Sequence, residues 1–124
     1  MEVQSYPRGY ISGLDRGERI MKIPRTLKIC GHVVKVRIVK NIKGQMENSL
    51  GYADLNHNEI VLRKEYEGKP LEESMREEVF LHETIHMIGQ IYGIPLNEKT
   101  VRQTSGALFQ VIRDNNLHFS DRVV

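Results

Sequence analysis

The sequence contains a single cysteine, Cys30. No internal disulfide can form, and a zinc site built on thiolates is excluded. The first residues hold no apolar stretch of the kind that opens a secretory signal. No apolar run anywhere is long enough to span a membrane. These absences point to a reducing, cytoplasmic setting with no membrane partner. There is no internal repeat and no low-complexity tract. Charge is also scarce in net terms: +2 at neutral pH, too little to demand a polyanionic partner. It is unevenly spread, since residues 1–69 carry 13 Lys/Arg against 8 Asp/Glu. Lys35, Arg37, Lys40 and Lys43 could serve a nucleic-acid-binding protein, whose affinity would fall steeply with salt. No aromatic residues are interleaved with them, and basic residues on exposed strand faces are commoner, so nucleic acid is not the expected partner.

What is present suits one soluble domain of ordinary composition, 124 residues with 40% hydrophobic and 27% charged. Residues 1–20 show no helical or strand period, and Gly9, Gly13 and Gly17 interrupt any pattern. They read as a flexible N-terminal arm. Patterned sequence begins at Met21, and Gly17-Glu18-Arg19 can be encoded by purine-rich codons like those of a ribosome-binding site. Met21 is therefore a candidate natural start, and residues 21–124 are expected to form a single domain.

Residues 26–40 read as a β-hairpin. Val34, Val36 and Ile38 alternate with Lys35 and Arg37, Leu27 and Ile29 alternate with Lys28, and Gly31 marks the turn. Residues 41–49 are polar and read as a loop. A second hairpin is expected over 51–63, turning at Asn56-His57-Asn58. Helical patterning takes over near Pro70, or at the capping-box pattern Ser74–Glu77. Glu72, Glu73, Glu77 and Glu78 suit the positive end of the helix dipole. The helix should stop at Gly93, with Pro95 preventing its continuation. A second helix is expected from Asn97, a good N-cap, to about Asn115. Its expected apolar stripe is Val101, Leu108 and Ile112, with Ala107 and Val111 beside it. The fold class is thus α+β: a small twisted sheet of hairpins packed on two helices.

The first helix contains FLHETIHMIGQIYG, residues 80–93. HETIH fits H-E-x-x-H, a zinc-hydrolase motif. On a helix, residues i and i+4 lie one above the other, so the imidazoles of His82 and His86 can converge on one ion. Glu83 is rotated by about 100° from His82, which takes it off the metal but within reach of a water bound there. That is the place of a general base. A histidine satisfied within the core is the alternative for either residue alone. On the helical wheel, Phe80, Leu81, Ile85, Met87, Ile88, Ile91 and Tyr92 cover a wide arc, while His82, Glu83, His86 and Gln90 cluster on the remaining side. A catalytic zinc normally has a third protein ligand. A metzincin would carry a histidine where this chain has Tyr92. Glu98 is the leading candidate, because a carboxylate at the head of a core-facing stripe needs a partner. His118, Asp114 and His57 are the others. Tyr92, His118 and Tyr52 are candidate donors to the oxyanion of a hydrolytic transition state.

The stretch FLHETIHMIGQIYGIPLNEKTVRQTSGALFQVIRDNN resembles the small zincin-like metallopeptidases encoded by bacteriophages and prophages. These are similar to minimal gluzincins and, more distantly, to the ImmA/IrrE-like and SprT-like peptidases. MKIPRTLKICGHVVKVRIV and GYADLNHNEIVLR extend the resemblance over about residues 21–117. It implies a zinc cofactor (Zn2+) held by His82, His86 and Glu98, with Glu83 as base, and a peptide or protein substrate. It also implies that the strand before the helix, Glu59–Arg63, forms a cleft edge to which a peptide can add. The competing reading is a zincin fold kept as a catalytically silent binding or regulatory module. An intact Glu83 argues against that, since only catalysis needs it.

Overall fold

The computed structural model describes residues 23–117. The arm expected over residues 1–20, the candidate start at Met21, and His118 lie outside them. Six strands precede two helices: β1 (Thr26–Ile29), β2 (His32–Val39), β3 (Gly51–Asp54), β4 (Glu59–Arg63), β5 (Glu65–Tyr66), β6 (Lys69–Pro70), α1 (Glu73–Tyr92) and α2 (Glu98–Asp114). The class is α+β with a small mixed sheet. Ile23–Phe109 form one compact unit, and residues 110–117 fall outside it.

Both expected hairpins form. β1 and β2 pair antiparallel, with Leu27 opposite Val34. Their two-residue turn places Cys30 and Gly31 at φ 51° and 82°, the double left-handed turn whose twist matches the strands it joins. β3 and β4 pair antiparallel, Tyr52 opposite Val61, through a turn in which Asp54 Oδ1 accepts the Asn56 and His57 amides. The two hairpins join by a parallel pairing of β2 with β4, giving the order β1-β2-β4-β3. This overturns one expectation: Glu59–Arg63 has a strand on each side and is not a cleft edge. The edge strands are β1 and β3, and β3 is the one next to β4. In the β3–β4 ladder, the Arg63 amide bonds Leu50 O, so alternate pairs along it are hydrogen-bonded. By that alternation the peptide groups of Gly51 and Ala53 face away from β4.

The residues of β4 show why it became the centre. Ile60, Val61, Leu62 and Arg63 are all buried. Ile60 and Leu62 share rows with Val36 and Ile38 on one side and with Ala53 and Gly51 on the other. That face meets α1, because a Cβ on Gly51 would stand 2.8 Å from Val79 Cγ1. The parallel pairing obliges the 40–50 segment to pass the C-terminal end of β4, and Arg63 holds it there. Arg63 donates to Glu47 O at 2.7 Å, Ser49 O at 2.8 Å, Asn41 Oδ1 at 3.2 Å and Glu65 O at 2.6 Å. Its guanidinium also lies 5.0 Å from the Tyr66 ring centroid. A buried charge is tolerable only when its donors are satisfied in this way.

The helices depart from expectation at three points. α1 starts at Glu73, with Glu72 in the N-cap position and no side-chain cap. Pro70 belongs to β6, and Ser74 falls inside the first turn. Glu77 is buried on α1 rather than displayed at its start. The buried stripe of α2 is Val101, Ser105 and Phe109, while Leu108 and Val111 are exposed. The apolar pattern picked out Val101 correctly, but it favoured Leu108 over its neighbour Phe109 and passed over Ser105. Ser105 is small enough to lie against a neighbour, and Phe109 supplies the volume. The expected helix ends do form: Gly93 adopts φ 71° after α1, and Asn97 Oδ1 accepts the Thr100 amide at 2.7 Å before α2.

Replacing Arg63 with Met should lower the urea-unfolding free energy by about 2–3 kcal/mol, because several carbonyls lose a charged donor. Arg37→Met, at a half-exposed pair with Glu59, should change it by about 0.5 kcal/mol or less. Equal losses in the two variants would remove the special role given to Arg63.

Candidate metal centre

The histidines stand one turn apart on α1, with ring centroids 4.8 Å apart and planes at 66°. Both are partly buried. The chain then reverses within a few residues. Ile94 N–H donates to Gly89 O at 2.8 Å, closing the left-handed turn at Gly93. Gly89 has no side chain, and a Cβ there would stand 3.0 Å from Leu96 Cδ1 and 3.2 Å from Ile94 O. The returning segment therefore lies flat on α1. Asn97 opens α2 at once, and Glu98, its first residue, arrives opposite the histidines.

Glu98 Oε1 lies 2.9 Å from His86 Nε2, and Glu98 Oε2 lies 3.0 Å from His82 Nε2. The three ligand atoms lie within 4.8 Å of one another, the one such His/Cys/Asp/Glu group among the described residues. A tetrahedral ion with bonds of about 2.1 Å needs donors roughly 3.4 Å apart. The two His–Glu98 distances fall a few tenths of an ångström short of that, and the whole group lies within 4.8 Å. The donor set of two imidazoles and a carboxylate suits a divalent transition metal with a position left free. Burial holds His82 below its ordinary pKa, against the opposing pull of Glu98, with His86 and Arg102 pushing the same way as burial. Lone pairs are thus available to an ion near neutral pH. Arg102 Nη2 stands 3.7 Å from Glu98 Oε2.

Glu83 lies beside this group without joining it. Burial raises its pKa to about 7, the Glu98 charge adds to the rise, and the Ala53 amide, donating to the carboxylate, opposes it. That amide is one of the groups the ladder turns outward from β3. Two cavities, of about 390 and 420 Å³, meet at Gly51, His82 and Glu83. The first continues past Met46, Leu55 and Gln90, and the second past Leu50, Met75 and Val79. Together they make a cleft along α1 and the open strand edge.

Of the candidates for third ligand among the described residues, Glu98 is the one brought to the histidines. His57 sits in the β3–β4 turn, 2.9 Å from Asp54 Oδ2. Asp114 ends α2 beside Arg113 at 3.1 Å. Tyr92 is not at the site either: it is exposed, and its hydroxyl is raised in pKa by the Cys30 thiol beside it. Two contributors went unread in the sequence. Arg102 follows Glu98 by four residues, a spacing that would have flagged it once Glu98 was placed on a helix. The Ala53 amide carries no side-chain signal at all. No family model, curated protein or solved structure matches the chain.

The Glu83 environment gives a pH signature in metal-free protein. In the unfolded chain this carboxyl titrates near 4.5, and in the folded one near 7. Between those values the folded state binds more protons, so this group's contribution to stability declines as pH rises. Glu83→Gln, in chelator, should therefore gain on the wild type by up to about 3 kcal/mol in urea-unfolding free energy between pH 4.5 and 8. Parallel stability curves would contradict the burial argument.

Proposed function

We propose that the protein is a zinc-dependent metallopeptidase with a minimal zincin-type site, hydrolysing peptide bonds. The observation that carries this is the convergence of His82, His86 and the Glu98 carboxylate, with Glu83 one residue along the same helix. His82 Nε2, His86 Nε2 and Glu98 would hold the ion. Zinc in this position supplies Lewis-acid chemistry, activating a water and polarising a carbonyl.

The remaining steps belong to the chain itself. Glu83 takes a proton from the attacking water and delivers it to the leaving amine as the C–N bond breaks. Glu83 lines both cavities beside His82 without belonging to the ligand group, which leaves its carboxylate free for that transfer. The open β3 edge supports a peptide substrate. An extended chain could lie along it, its backbone meeting the outward groups of Gly51 and Ala53 and its side chains entering the two cavities. The substrate edge is thus assigned to β3 rather than to Glu59–Arg63.

Elemental analysis of untagged protein purified without chelator should find about one zinc per chain, lost in His86→Ala. Glu83→Gln should keep the zinc and lose about 10²–10⁴-fold in hydrolysis of a casein or peptide-library substrate. Absence of zinc after reconstitution would end the metal reading. Zinc retained with no hydrolysis of any peptide by wild type would leave a silent binding module instead.

A further inference from the structure

Resting on the peptidase reading, we infer that Arg102 is the residue that donates to the oxyanion formed during peptide hydrolysis. When water attacks the scissile carbonyl carbon, the C=O electron pair moves onto oxygen. The cleft already carries the carboxylates of Glu83 and Glu98, so new negative charge there needs a cation or strong donors. Of the side-chain candidates named from the sequence, Tyr92 stands by Cys30. Tyr52 borders the first cavity, but it alternates with Gly51, whose Cβ direction is toward α1, and unlike Arg102 it carries no positive charge. His118 lies outside the described residues.

Arg102 is the one Lys or Arg among the described residues lining either cavity. It shares the second cavity with His82 and Glu83, the ligand and the base. It lies one helical turn after Glu98, and its Nη2 stands 3.7 Å from Glu98 Oε2, the oxygen that also meets His82 at 3.0 Å. That places a guanidinium at the margin of the ion's position. The separation exceeds hydrogen-bond reach, and the side chain is 66% exposed. The charge is therefore held nearby without its donors being consumed, since such an exposed pair is weak. Five N–H groups and a permanent charge suit it to an oxyanion. During the reaction Arg102 keeps its protons. It donates a hydrogen bond as the carbonyl oxygen becomes negative, and releases it when C=O re-forms and the C–N electron pair leaves with the amine, protonated by Glu83.

The alternative role for Arg102 is to hold Glu98 in place for the ion. Two peptide ligands of the same sequence separate these roles on zinc-loaded protein. One carries a tetrahedral anionic phosphinyl group at the scissile position, and the other a thiol that ligates the ion without imitating the oxyanion. Affinities are read by calorimetry, and zinc affinity by chelator competition. Arg102→Gln should weaken the phosphinic peptide by about 10²-fold. Zinc and thiol-peptide affinities should stay within about threefold, and Arg102→Lys should fall between wild type and Gln for the phosphinic ligand. Equal loss for both ligands, or a weakened zinc site, would assign Arg102 to holding Glu98. No loss for either ligand would also overturn the proposal. A zinc-loaded wild type that binds neither ligand would bring down the peptidase reading itself, and this role with it.

Discussion

Helix α1 and strand β3 approach each other so closely that a methyl group on Gly51 would meet Val79 Cγ1 at 2.8 Å and Val61 O at 2.9 Å. The candidate site depends on this contact. It brings the outward Ala53 amide to the Glu83 carboxylate, which anchors a buried acid that would otherwise have every reason to turn toward water. It also sets the width of the cleft, since Gly51 borders both cavities beside His82 and Glu83. β3 is an edge strand, and it lies outside β4 because the chain crosses the end of β4 before returning. Arg63 fastens that crossing. A residue remote from the histidines thereby governs the geometry of the acid beside them.

A second close approach does for Glu98 what Gly51 does for Glu83. Glu98 follows His86 by only twelve residues, so the chain must reverse tightly to bring it back. It succeeds because Gly89 lets Leu96 and the Ile94 carbonyl sit directly on α1, and because Gly93 accepts the left-handed turn that starts the reversal. Each glycine meets a different need: one removes volume, the other relieves backbone strain. Asn97 then caps α2 without delay, so the first helical residue is already the carboxylate.

The sequence made the helical residues of the site legible and left its walls obscure, and the reason is physical. His82, Glu83 and His86 are related by helical spacing, which is local. Glu98 could be nominated because Asn97 and Pro95 fix where α2 begins. The hairpins could be read from alternation for the same reason. What alternation cannot reveal is which strands become neighbours. The resemblance implied a cleft edge at Glu59–Arg63, yet the parallel pairing with β2 gives that strand a neighbour on both sides. Arg63 gave no sign of its role, because a buried arginine at a strand end looks like a solvated one until the carbonyls of Glu47 and Ser49 are placed around it. Hydrophobicity also misled on α2, where Leu108 is exposed and Ser105 is buried. Burial there follows the fit against neighbours rather than the apolar character of each residue.

The donor set bears on the ion it could receive. The Glu98 carboxylate lies against both imidazoles, so the three donors converge on one region. Protons are the natural competitors for those nitrogens, because a ligand imidazole must give up the Nε2 proton to bind an ion. Burial tilts that competition by keeping His82 below its ordinary pKa. The Arg102 charge acts in the same direction, disfavouring a protonated imidazole while standing too far from Glu98 to occupy its oxygen fully. Burial and a neighbouring cation thus outweigh the opposing pull of the Glu98 carboxylate on His82, which favours a neutral imidazole there.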